Sequence, residues 1–343
     1  MFWRNLKKGK IASLLAIMLT LLLLTTQVTK ASPLASGTWR VVPSPSPGAG
    51  GNFLASVATV SANNIWAVGI DVNSNGVQQS LIEHWNGTRW KVVPSPNPGA
   101  GDNFLHSVAA VSANNIWAVG FYTNAGGVAQ TLVDHWNGTK WSVVSSPSPG
   151  TASNSLFSVS AISANDIWAV GFFTKTGGVA QTLVEHWNGT KWKVVPSPNL
   201  GTDDNFLSSV AAVSANNIWA VGFHMHTGIA GQPIIEHWNG SVWSIVNGPN
   251  PGSGAPLYAV AAVSANNIWA VGQYSALING SYINQTLVEH WNGSVWTVLS
   301  TPSPGTADNS FEGVAAVSAS SIWAVGGYQN TGGIEQTLTE TSG

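Results

Sequence analysis

Apolar residues gather along this chain in short runs, each stopped by polar turn residues. Four such runs follow one another between 105 and 146: "LHSVAAVS" (105–112), "NIWAVGF" (115–121), "QTLVDHW" (130–136) and "TKWSVVSS" (139–146). Val, Ile, Trp and Thr enrich them, which predicts β-strands. The joints differ in chemistry. Ser-Ala-Asn-Asn makes a tight polar turn between the first and second runs, and a longer glycine-rich segment, "TNAGGVA", separates the second from the third. Asn-Gly at 137–138 predicts a two-residue hairpin between the third and fourth. After the fourth run comes an extended proline-rich segment.

The same order of runs recurs. "SANNIWAVG" or a variant places a tryptophan at 66, 117, 168, 219, 269 and 323, so the unit is about 51 residues and occurs six times. Four strands joined in sequence form a meander, and six meanders suggest an all-β fold, a six-bladed β-propeller of four-stranded antiparallel blades. The chain ends support closure of a ring. The last unit stops at Gly343 without a fourth strand, while "SGTWRVVPSPSP" at 36–47 is a fourth strand with no unit before it. An N-terminal strand that completes the last blade would remove the open edges.

Residues 36–343, with an apolar strand, an "IWAVGG"-type strand, an acidic-aromatic strand and then Trp and proline, resemble kelch-type repeats. That resemblance implies a kelch-like β-propeller of four-stranded blades. The Asn-Gly-Thr-Lys-Trp turn is also similar to the Asp-box turn of sialidase propellers, without its Asp.

Residues 1–31 are a different kind of sequence. A basic start (Arg4, Lys7, Lys8, Lys10), a 16-residue apolar stretch from Ile11 to Thr26 and small residues at 29–31 read as a secretory signal peptide. Sixteen residues are short for a membrane span of about 20. The expected product is a secreted or extracellular monomer with no membrane insertion, possible attachment to a cell surface being left open. Its seven basic and fourteen acidic residues speak against nucleic acid or an anionic membrane as partner. Cysteine is absent, and a domain this large can bury enough core without disulfides.

The repeated octapeptide "EHWNGTKW" (185–192) and its four variants offer histidines at 84, 135, 186, 237 and 290. They lie on third strands, too far apart between blades to share a metal at about 2 Å. A structural role is expected for them, with no metal and no cofactor. Positions that vary among uniform units are the better candidates. Two residues before the first-strand Val stand Ala55, His106, Phe157, Ser208, Tyr258 and Glu312. First strands line the central channel, so these can converge at one mouth. Connections on the same face also vary, at Asp71, Tyr122, Phe173, Lys175, His224, Met225, His226, Tyr274 and Tyr328. The ligand-binding set expected from this pattern is His106, Phe157, Tyr258, Glu312, Tyr122, His224 and Tyr274, recognising a glycan or a protein. Catalytic readings have less support. The arginine cluster of a sialidase-like site is missing, a copper-radical site lacks its Cys, and a carboxylate pair for glycoside cleavage would have to come from Asp102, Asp203, Asp204 or Glu312. A hydrolase or lyase in the channel, or a structural envelope protein, are the alternatives.

Overall fold

The computed structural model describes residues 41–226 and 229–342. These form six antiparallel sheets in sequence order, arranged as a β-propeller with no helix among the described residues. Five sheets have four strands, spanning 51–92, 103–143, 153–194, 205–245 and 257–299. The sixth, at 309–342, has three. The strand expected to complete it, with Trp39, lies outside the described residues, as does the expected signal segment.

The apolar core is divided among the seams between blades. One cluster joins Trp66, Val68 and Ile82 of the first blade to Leu105, Val108, Ile116, Leu132 and Trp141 of the second. The same composition recurs at the following three seams, and at the fifth without the fourth-strand tryptophan. Each blade is apolar on both faces, which is why its strands read as nearly continuous runs. Serine hydroxyls tie neighbouring first strands together: Ser56, Ser107, Ser158 and Ser209 accept from the backbone N–H of Val108, Val159, Val210 and Val260 at 3.2–3.3 Å.

The repeated aromatics are structural. Trp66 donates its Nε1–H to Asn64 Oδ1 at 2.8 Å, and the His84 ring stacks on Trp66 at 4.3 Å with its Nε2 2.9 Å from the same oxygen. Across the seam Trp66 meets Trp136 at 4.8 Å and Trp141 at 5.4 Å. Equivalent stacks hold Trp117 with His135, Trp168 with His186, Trp219 with His237 and Trp269 with His290.

Two sequence expectations change. The fourth strands are shorter than the apolar run: 141–143 rather than 139–146. The Asn-Gly joint is a four-residue loop, because Trp85 pairs with Trp90 and residues 86–89 lie between. Asn86 accepts at its side-chain oxygen from Thr88 N, Thr88 Oγ1 and Arg89 N. Only the glycine takes positive φ, 92° at Gly87. The side chain of Asn mimics a backbone turn here, so the loop needs no second left-handed residue. A true two-residue Asn-Gly turn occurs elsewhere. Asn279 (φ 51°) and Gly280 (φ 83°) join paired Ile278 and Ser281 in the fifth blade.

Candidate functional site

The six variable positions share one backbone feature. In every blade the pairing of the first and second strands slips twice, and at the slip farther from their turn the residue skipped is Ala55, His106, Phe157, Ser208, Tyr258 or Glu312. Each is a β-bulge, which bends a strand and re-aims one side chain. The partner strand accommodates it with the glycine of "WAVG". A Cβ at Gly69, Gly120, Gly171, Gly222, Gly272 or Gly326 would overlap a carbonyl oxygen of the bulged strand. That glycine was the sequence signal for the bulge, since a lone Gly inside a strand pattern marks a close backbone approach.

Five of the bulged residues, His106, Phe157, Ser208, Tyr258 and Glu312, line one small cavity of about 40 Å³. This volume admits a few water-sized groups. The His106 ring stacks on Phe104 at 4.3 Å and meets Phe157 edge-on at 5.3 Å. Tyr258 and Phe157 pack on the apolar cluster of Phe206, Phe223 and Ala180. Ser310 Oγ donates to Glu312 Oε1 at 2.8 Å. Three polar atoms at this site have no protein partner: His106 Nε2, Ser208 Oγ and Glu312 Oε2. Ser208 is 7% exposed.

Burial sets the charge states. It pushes the His106 imidazole down to about 3, so the ring is neutral at pH 7. Burial raises the Glu312 carboxyl to about 7, against the hydrogen bond from Ser310, and the nearby Glu335 adds to the rise. Tyr258 is held up by burial and by Glu312, and stays a phenol. Within the lining Glu312 supplies the single carboxylate.

The other three expected residues lie elsewhere. Tyr122 packs against the core between the first and second blades, and Tyr274 against that between the fourth and fifth. His224 stands in a second strand between Asn205 and Gln232. These positions sit one per blade, outside the channel lining. The acids considered as catalytic partners also have local tasks. Asp102 Oδ1 accepts from Gln78 N at 3.0 Å and Asp204 Oδ1 from Ala180 N at 2.6 Å, each tying two neighbouring blades. No group of three or more metal-ligating side chains occurs among the described residues.

Basic residues are distributed unevenly about this site. Asp71, Asp102, Asp203, Asp204, Asp308, Glu312 and Glu335 all belong to the end of the blades where second strands turn into third strands, or to the channel beneath it. Of the described basic residues only Lys175 is there; Arg89, Lys91, Lys140, Lys191 and Lys193 occupy the Asn-Gly loops and fourth strands. The Asn279-Gly280 hairpin extends the acidic face and carries Leu277 (64% exposed), Ile278 and Tyr282 (68%) at its tip. The signal for this tip is a second Asn-Gly in the fifth unit, at 279–280, outside the repeated position.

No family model matches the chain, and no curated protein matches it. Solved structures do. A polysaccharide lyase, the PL25 ulvan lyase bound to a glucuronate–sulfated rhamnose ligand, is 12% identical over 82% of this chain and 78% of its own, with a TM-score of 0.54. YjhT is 11% identical over 84% and 96%, with a TM-score of 0.51. YCF48 bound to a D1 peptide is 15% identical over 83% and 81%, with a TM-score of 0.49. At such identities the first two are likenesses of architecture, and they place this chain among the β-propellers.

Proposed function

We propose that this chain is an exported, non-catalytic recognition module of kelch-like repeats, and that its acidic loop face binds a basic polypeptide. The observation that carries this reading is the uneven placement of the basic residues: one end of the blades holds seven acids and one lysine, while five of the six described basic residues lie elsewhere, beside the other seven acids. A field of one sign steers and selects a partner of the other. The exposed Leu277, Ile278 and Tyr282 add apolar contact beside it. A sugar ring does not fit a 40 Å³ cavity, and glycoside cleavage by two carboxylates lacks its second group in the lining. Those two points set the lyase or hydrolase reading behind.

The test is a pull-down and array comparison of basic peptides, acidic peptides and glycans on the full chain. It is repeated with Leu277→Ser/Tyr282→Ser and with Asp203→Asn/Asp308→Asn. Capture of basic peptides that weakens in both variants and at raised salt supports the reading. Capture of glycans alone, or of peptides without regard to charge, overturns it.

A further inference from the structure

The channel cavity has a composition that selects among cationic groups. It rests on the loop-face reading above and narrows it. The three unpartnered atoms, Glu312 Oε2, Ser208 Oγ and His106 Nε2, are each able to accept a hydrogen bond. A protonated primary amine carries three N–H donors on one water-sized head. An unpartnered polar atom away from water costs about 1–3 kcal/mol, so a ligand that serves all three at once gains strongly over one that serves none. Phe157 and Tyr258 bring aromatic rings to the same space, and ring faces attract ammonium groups. No lysine or arginine lines the cavity. At about 40 Å³ it admits a water-sized head such as an ammonium more readily than the planar fork of a guanidinium, and it holds no sugar or aromatic ring.

We infer that the cavity lined by His106, Phe157, Ser208, Tyr258 and Glu312 is a receptor for a primary ammonium group, presented by a lysine side chain of the bound polypeptide. The bulges are the device that makes it. Without them these five side chains would follow the regular alternation of their strands and would not converge. Six bulges with one residue type would give a symmetric ring. Here a carboxylate, a hydroxyl, an imidazole and two aromatics occupy five positions, and Ala55, the smallest, holds the sixth.

The probe is a Gly-Lys-Gly peptide blocked at both ends, titrated against the full chain with the His106 ring followed by nuclear magnetic resonance. Its controls are the Nε-acetyl form, the arginine analogue and potassium or calcium chloride. The lysine peptide is expected to bind and to shift the His106 signals. Acetylation or Glu312→Gln is expected to weaken it at least tenfold, and Ser208→Ala severalfold. Should Glu312→Gln fail to fold, Ser208→Ala carries the comparison. Equal binding of the lysine, acetyl-lysine and arginine peptides overturns the inference, as does a lysine affinity unmoved by the folded Glu312→Gln variant. Displacement by potassium or calcium at matching concentration makes it an inorganic cation site and overturns it too. If basic peptides depend on Leu277, Tyr282 and the face aspartates but not on Glu312, the loop-face reading stands and the ammonium receptor alone falls.

Discussion

At the residue scale, two repeated features govern behaviour. The first is the glycine opposite each bulge. Gly120→Ala places a Cβ against the Phe104 carbonyl, so the strands must separate or the bulge must shift. Overpacking of this kind costs about 1–3 kcal/mol, and denaturant unfolding should show a loss in that range. Gly127→Ala meets nothing within 4 Å and its cost comes from φ 77° alone, so it separates steric from conformational effects. The second feature is the acid on every third strand. Glu83, Asp134, Glu185, Glu236 and Glu289 are fully buried in the seams. Burial raises Asp134 to about 7 and Glu185, Glu236 and Glu289 to about 8. Ser44 and Ser197 donate to Glu83 and Glu236 at 2.6 and 2.8 Å, while at the equivalent position Gly248 leaves both Glu289 oxygens unpartnered. The folded carboxyl holds its proton more tightly than the unfolded one. Stability is therefore full below the unfolded value of about 4.5 and falls as pH rises through about 8. Melting temperature should drop steadily between pH 5 and 8.5, and Glu289→Gln should flatten part of that slope. A melting point that rises with pH over this window would contradict the burial argument.

At the scale of the element, the loop and the hairpin make opposite claims. The Asn-Gly-Thr-Lys loop is held by three hydrogen bonds to one side-chain oxygen, at Asn137 as at Asn86. Asn137→Ala removes all three. At about 0.5–1.5 kcal/mol for a typical bond and less for exposed ones, a loss of about 1–2 kcal/mol is expected by chemical denaturation. Calling this joint a two-residue turn from Asn-Gly alone failed because the next residue, Thr or Ser, adds a hydroxyl and an N–H to the same acceptor. The fifth-blade hairpin is the reverse case. Its Leu277 and Tyr282 are mostly exposed, so Leu277→Ser/Tyr282→Ser should leave unfolding within about 0.5 kcal/mol of the parent. Under the proposed function it should weaken peptide capture nonetheless.

Over the whole molecule, the sixth blade differs from the rest. Trp66, Trp117, Trp168 and Trp219 are each 2% exposed, and Trp323, their equivalent, is 42% exposed. The four buried ones are covered by third- and fourth-strand tryptophans of the following blade. The chain around Ser44 stands to the first blade as that around Ser197 stands to the fourth, each serine meeting the third-strand Glu 39 residues on. This places the segment after Trp39 where a fourth strand would lead into the next seam. If that strand closes the ring, Trp39→Ala is expected to destabilise the protein to a degree comparable with Trp141→Ala, by about 3–5 kcal/mol. Equal stability of Trp39→Ala and the parent would remove the case for closure by that strand.

The six repeats, their strands and the propeller architecture were determined by the sequence itself, because short apolar runs between turns and a 51-residue period are patterns that any copy of the unit displays. The variable position in each first strand was legible too, as a departure from an otherwise uniform repeat. What those positions do was decided by the tertiary structure. A bulge is a mismatch between two strands, and a cavity is a meeting of five blades. Neither exists in a single run of residues. His106, Phe157, Ser208, Tyr258 and Glu312 came together for that reason, while Tyr122 and Tyr274, equally variable, turned into the seams. The placement of the basic residues followed the same rule: acids and lysines are mixed along the chain, and only the up-and-down course of each blade leaves all but one of the described lysines and arginines away from the loop face.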